Sequence, residues 1–533
     1  MGQTPAFQPG GMNFRLFLRI LTVGLGLSLI VFAWLSAFPL EHRSVDSTLF
    51  EGIPVFYWIG FVVLAAGSAD MGLNGRHRIT KWFGACCFFF LLHSLAYFYY
   101  NLSAPGGFDP YFLDLAPHYF LENGFDSSAT RIYPWPGFFL LVNTFTLVTG
   151  IPIRLFQFAF YFIVGITLSS FVFVICDRSI MQPFVGVWAY AVTGYYFLNY
   201  QFSPQTLSLA FLMGIFLVEF KLRKSKSIII ALFFVAATLT HGFLQLFYLV
   251  YLMVRYVWTR DGLEKIVSYI AIFATFNFFF SDFSLPRLVL TLRQSIIESL
   301  GILQYRETIE VTASAGSDVI IQQFSRATIV GAGLISLFGV IRGWKHELSD
   351  FDKFLMATAI VLVVVGAAVW LIGIRAVQVG VAVVAVGASI FSGKPKPRWR
   401  RLLVFALILL SVSIPMHTNF DRYLYQSQPT EDAFGFLAGR IIDATQVRRV
   451  NIFVPHAVAF SVLVYAKNWD NLGLQTELST DDAMGNFDLV LVSLQVDHYL
   501  AARKASYPPN VIVVMTSGNI IYNDGLARIV SRP

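Results

Sequence analysis

The residues best suited to chemistry lie between positions 106 and 137. The chain there reads Gly106-Gly107-Phe108-Asp109-Pro110, passes through Asp114, Pro117, His118 and Glu122 to Asn123-Gly124, and reaches Tyr133-Pro134-Trp135-Pro136-Gly137. From Asp109 the polar positions follow at steps of five, four and four. If the stretch is helical, His118 and Glu122 share a face and Pro117 can kink the helix between them and Asp114. Carboxylates and imidazoles are common proton acceptors in catalysis. Three further polar positions interrupt apolar sequence: Gln205 in Asn199-Tyr200-Gln201-Phe202-Ser203-Pro204-Gln205, His241 in Thr240-His241-Gly242, and Arg375 between two apolar runs. A guanidinium matches phosphate oxygens bidentately. Each residue also has a plainer reading. Asp109 before Pro110 is an ordinary turn pair, Glu122 and Gln205 cap helix ends, the histidines sit at an interface or a turn, and Arg375 snorkels to lipid headgroups.

These residues sit in a chain built for lipid. Of 533 residues, 56% are hydrophobic and only 13% charged, with a mean hydropathy of +0.66. A soluble domain carries about 25% charged residues. The 54 Phe, 23 Tyr and 10 Trp exceed what a soluble core of this size needs. Soluble enzyme, disulfide scaffold and disordered chain are therefore excluded as descriptions of the whole. Cys86, Cys87 and Cys176 lie in apolar runs without metal-ligand spacing, which predicts neither a zinc site nor a disulfide.

A helix crossing a bilayer needs about 20 mostly apolar residues. Runs meeting or approaching that length begin near Leu16 and recur to about residue 416. The first of them is too long for a signal-peptide core and reads as a retained helix. The run Gly137–Thr149 is shorter, and hydropathy alone does not decide whether it crosses. Charge does. Basic clusters occur at Arg76/Arg78/Lys81, Lys221/Arg223/Lys224/Lys226, Arg255/Arg260/Lys265 and Lys394/Lys396/Arg398/Arg400/Arg401. All four fall on one side only if 137–149 is re-entrant or interfacial.

The sequence therefore predicts an α-helical polytopic membrane protein with about thirteen spans. Its N-terminus is cytoplasmic, and outer loops span 101–136 and 281–327. Residues 1–416 form this membrane domain. Residues 417–533 have a soluble composition and alternate strand-like runs (450–454, 487–492, 511–515, 519–522) with helical ones, which predicts a small extracytoplasmic α/β domain. Its first strand ends in Val454-Pro455-His456 with no glycine-rich phosphate loop, so nucleotide binding is not expected there. The net charge of +7 reads as a topology signal and gives no support to a nucleic-acid partner.

An acidic residue at the outer end of an early span, a stretch bearing His118, the Glu122-Asn123-Gly124 turn and the Tyr133-Pro-x-x-Gly137 entry into a short apolar helix together resemble the GT-C superfamily. These are polytopic glycosyltransferases that use polyprenyl-phosphate-linked sugars. The outer turns at Gln205 and His241, Arg375, and a closing α/β domain ending Ile520-Ile521-Tyr522-Asn523-Asp524-Gly525 fit the same resemblance, which is close to prokaryotic, often archaeal, members. It implies that Asp109 is the catalytic carboxylate, taking a proton from an acceptor hydroxyl as that oxygen attacks the anomeric carbon. Arg375 would stabilise the leaving polyprenyl phosphate. His118 or His241 would orient groups or hold a divalent cation such as Mg or Mn, with Asp114, Glu122, Gln205 and Tyr133 completing the substrate site. The implied partners are membrane lipid, the lipid-linked sugar donor and a glycan, lipid or protein acceptor. One departure stands: many members carry a paired acidic motif where this chain has Asp109-Pro110-Tyr111, which leaves a metal site open. An O-antigen polymerase- or ligase-like enzyme, a lipid-linked-sugar flippase and a non-catalytic assembly subunit are the competing classes. No internal repeat of the transporter kind is evident.

Overall fold

The computed structural model describes residues 14–36, 53–94, 117, 120–121, 136–178, 181–194, 203–221, 226–241, 244–279, 317–344, 348–368, 370–393, 398–411 and 413–414, together with five strands between 450 and 531. These residues hold fourteen α-helices: α1 (Phe14–Ser36), α2 (Val55–Asn74), α3 (Arg78–His93), α4 (Gly137–Thr149), α5 (Ile153–Cys176), α6 (Pro183–Gly194), α7 (Pro204–Lys221), α8 (Lys226–Thr240), α9 (Leu244–Thr259), α10 (Leu263–Phe279), α11 (Ser317–Gly343), α12 (Asp350–Ala368), α13 (Trp370–Phe391) and α14 (Arg398–Leu410). Proline marks many of their starts. Pro54, Pro136 and Pro152 immediately precede α2, α4 and α5, while Pro183 and Pro204 open α6 and α7. A first-turn proline gives up no intrahelical hydrogen bond and presets the helical φ.

Four described helices are long and apolar enough to cross a membrane: Phe14–Ser36, Val55–Asn74, Pro204–Lys221 and Gln323–Gly343. α1 turns Phe14, Leu21, Leu25, Phe32 and Leu35 outward while Val23, Ile30 and Ala33 face its neighbours. A continuous exposed apolar face of this kind is unfavourable in water and compatible with lipid. The protein is thus a helical chain suited to membrane residence.

Small residues set the closest helix contacts. A side chain at Gly26 of α1 would run into the backbone of Leu64 at 2.7 Å, and one at Gly60 of α2 would meet the Gly26 carbonyl at 2.9 Å. Gly339 and Gly387 likewise bring α11 and α13 together with no room for a Cβ. Lipid supplies no hydrophobic force between helices, so close backbone approach of this kind drives their association. α6 lies at the centre, with every residue from Pro183 to Gly194 buried. It packs against α3 through Phe184 on Phe88, with ring centroids 5.8 Å apart, and meets α13 where the Gln182 N–H donates to the Ser389 carbonyl at 3.0 Å.

Several ion pairs between described residues gather at one end of this bundle. Arg19 of α1 grips Asp70 of α2, with Nε donating to Oδ2 at 2.6 Å. Arg78 pairs with Asp177, and Arg178 with Asp352 of α12. Glu219 of α7, 3% exposed, faces Lys226 and Arg255 and accepts from the Tyr248 hydroxyl at 3.0 Å.

α4 spans Gly137–Thr149, which at 1.5 Å per residue is about 20 Å and short of a hydrocarbon core of about 30 Å. It ends at Gly150, whose φ of 69° supplies the left-handed cap. α4 then folds back antiparallel on α5, with Phe138 against Phe160 and Phe145 against Phe156. Its first residue, Gly137, abuts Leu239 at the end of α8.

The strands β1 (Val450–Phe453), β2 (Leu472–Gln475), β3 (Leu489–Ser493), β4 (Asn519–Asn523) and β5 (Ala527–Ser531) form one sheet in the order β2-β1-β3-β5-β4. β1 pairs parallel with β2 and β3, while β5 pairs antiparallel with β3 and β4. β2 was not among the expected strands, because Leu472-Gly473-Leu474-Gln475 is short and carries a glycine. The expected strand at 511–515 and the helical runs of this region lie outside the described residues.

Candidate functional site

The candidate site is the end of the bundle opposite the ion pairs. Here α3 and α8 terminate and α7 and α9 begin, and the described polar side chains at these four helix ends are neutral hydroxyls, amides and imidazoles. Ser203, just before α7, accepts the Thr206 N–H at 3.2 Å, and its hydroxyl lies 2.9 Å from the Thr206 hydroxyl. This is the expected use of a serine at a helix start. Two positions on, Ser208 donates to the Ala237 carbonyl of α8 at 3.3 Å and ties the two helices together. His241 is buried directly after α8, its backbone N–H donating to the Ala237 carbonyl at 2.8 Å. At the neighbouring end of α3, the Ser94 hydroxyl lies 2.7 Å from the Tyr57 hydroxyl of α2.

A narrow crevice of about 20 Å³ opens between α3, α5 and the start of α7. His93, Cys86, Phe89, Phe160 and Thr206 are among the residues lining it. This is room for a water or a thin chain, not for a sugar. Polar capacity remains unspent nearby. Gln245, in the first turn of α9, is 0% exposed, and neither end of its amide has a hydrogen-bond partner among the described residues. The Asn143 Oδ1 of α4 is in the same state. Burying an unpaired amide costs about 1–3 kcal/mol, so such groups call for a ligand or water to complete them.

The predicted residues divide by what the structure describes. Gln205 occupies the second position of α7 and is half-buried, at the same end of the α7–α8 pair as His241. Arg375 requires a correction. It is the sixth residue of α13 and so lies within a helix, not between two spans. The run Val369-Trp370-Leu371-Ile372-Gly373-Ile374 is apolar throughout, so a single arginine does not end the helix. Its backbone lies in the half of α13 away from Ser389, and hence toward the end that holds His241. Asp109, Asp114, His118, Glu122 and Tyr133 lie outside the described residues, although Phe120, between two of them, packs on Phe139 of α4 with ring centroids 5.4 Å apart.

His93, Thr206, Gln245 and Asn143 were not singled out from the sequence. Gln245 follows His241 by four positions but belongs to the next helix, so the spacing carried no signal. His93 merely closes the run Phe88-Phe89-Phe90-Leu91-Leu92. Among the described residues no three His, Cys, Asp or Glu side chains come together as a cation site. Cys86, Cys87 and Cys176 are buried free thiols. Compared with known proteins, the sequence matches no protein-family model and none of the characterised proteins.

Proposed function

We propose that the chain is a multi-pass membrane glycosyltransferase of the GT-C kind, moving a sugar from a polyprenyl-phosphate donor to an acceptor at the outer membrane face. The observation that carries this reading is the division of the bundle into two ends. One end holds the ion pairs; the other holds Gln205, His241, the backbone of Arg375 and the fully buried Gln245 amide, which has no hydrogen-bond partner among the described residues. Buried polar groups at a helix end suit the head of a lipid-linked substrate that enters from the leaflet. A transporter would instead place such groups at interrupted helices near the midplane.

In this reading about thirteen spans carry the chain, α4 stays at the outer surface, and the sheet belongs to an α/β domain on the same side. Asp109 takes the proton of the acceptor hydroxyl, the acceptor oxygen bonds to the anomeric carbon, and the bond from that carbon to phosphate breaks. Arg375 stabilises the departing phosphate charge.

The test is a transfer assay on purified protein with dolichyl- and undecaprenyl-phosphate sugars. Asp109→Asn should reduce transfer by several orders of magnitude while leaving the elution profile and melting temperature unchanged. Transfer by that variant at the wild-type rate, or none by the wild type across the panel, overturns the assignment.

A further inference from the structure

At the ion-paired end of the bundle a cavity of about 420 Å³ opens between the start of α1 and the α2–α3 turn. That volume lies within the range of small-ligand sites. Three arginines, Arg15, Arg19 and Arg76, line it with His77 and a single carboxylate, Asp70. The carboxylate is already engaged: Arg19 holds both of its oxygens, at 2.6 and 3.3 Å, and Asn74 donates to Oδ1 at 2.8 Å. Three guanidinium groups thus face one carboxylate in this lining.

Away from the cavity, Phe14, Phe17 and Ile20 on the other faces of α1 and Ile79 of α3 expose their apolar side chains at the same end of these helices. A basic cavity between helices whose outer faces are exposed and apolar matches an amphiphile with a charged head and an apolar body. Guanidinium groups recognise phosphate oxygens through forked donors.

We infer that this cavity binds a phosphate ester, as the headgroup of an anionic lipid in the bordering leaflet. The site is separate from the proposed transfer site at the other end of the bundle and does not depend on it. Bound there, the lipid would bridge α1 to the α2–α3 turn and reinforce the hold that Arg19 and Asp70 already provide.

The experiment uses the full chain in nanodiscs of phosphatidylcholine with a minor fraction of phosphatidic acid. Lipid retained through delipidation is counted by native mass spectrometry, and inorganic phosphate is titrated separately onto the protein in neutral detergent. The wild type should retain phosphatidic acid in preference to phosphatidylcholine. In Arg15→Gln/Arg76→Gln, which spares the Arg19–Asp70 pair, retention should weaken about twenty-five-fold, at about fivefold per surface arginine. The single Arg76→Gln, at an exposed turn position, should show about the fivefold step should the double variant fold poorly. Inorganic phosphate binding that is lost in the same variants, without lipid preference, assigns the phosphate chemistry to a soluble source. Equal retention of the two lipids with no phosphate binding, or retention unaltered by the substitutions, overturns the inference.

Discussion

Asp352→Ala is the most informative single substitution in the membrane domain. Asp352 opens α12 with Ser349 as a reciprocal cap: the Ser349 N–H and hydroxyl donate to its Oδ2 at 2.8 and 2.7 Å. The same carboxylate receives both terminal nitrogens of Arg178, Nη2 at 2.8 Å from Oδ1 and Nη1 on Oδ2. The Arg178 guanidinium also lies over the Phe220 ring of α7, 4.4 Å from its centroid. One pair thus holds the α5–α6 turn, α7 and α12 together. The Asp352 side chain is 0% exposed and that of Arg178 15%, so this is a buried pair. Removing one partner of such a pair costs about 3–5 kcal/mol, since the other charge stays behind desolvated. The slight exposure of Arg178 places the loss near the lower bound, and the lost cap adds about 1 kcal/mol. A total near 4 kcal/mol is expected for Asp352→Ala. Replacing both residues, as in Arg178→Met/Asp352→Leu, should return most of that, because no unpaired charge remains. The assay is unfolding of the purified protein in a fixed detergent, with all four corners of the double-mutant cycle measured. A single variant within about 0.5 kcal/mol of wild type, or a double variant no better than the single, refutes the reasoning.

Gln245→Leu removes an amide without described partners, so stability should hold or rise by about 1 kcal/mol while sugar transfer falls; a melting temperature lowered in parallel with activity would make Gln245 structural instead. Gly387→Leu should prevent the contact of α11 with α13 and abolish monodisperse protein in fluorescence-detected size exclusion, whereas Gly24→Ala, which faces open space, should elute as wild type. Glu219→Leu strands Lys226 and Arg255 around a buried site and should cost about 3 kcal/mol in the same unfolding assay. Maleimide should label none of Cys86, Cys87 and Cys176 in the folded protein and all three after denaturation in sodium dodecyl sulfate.

The helical skeleton was readable because apolar run length is a strong signal. The run at 137–149 has the same bounds in sequence and structure, since Pro136 starts it and Gly150 stops it. Charge alone would not end a helix at Arg375, where the apolar run continues past one guanidinium. In the sheet, β1, β3 and β4 were legible as short apolar runs, whereas β2 becomes a strand through its parallel partner β1 and not through its own residues. The ion-paired end was foreshadowed by the basic clusters. Which carboxylate each cation would meet was not, because Arg178 and Asp352 are far apart in sequence and only packing unites them. Of the candidate site, Gln205 and His241 were found as polar breaks in apolar sequence. Gln245 and His93 were missed because each lies inside or at the close of an apolar helix, where a lone polar residue reads as incidental.

The sheet bears on how copies of this protein behave when crowded together. Its outer strands are β2, only four residues long, and β4, where the register shifts between Ile520 and Tyr522 and Ile520 is exposed. An open strand edge is a template on which a second chain can extend the ladder. Confinement to a bilayer would make such encounters frequent, since neighbours share a plane and an orientation. A stub at one edge offers too few hydrogen bonds to hold a visitor, and the irregularity at the other breaks the spacing that a visiting strand must match. Both edges of the described sheet are thus poor templates for lateral pairing between neighbouring copies.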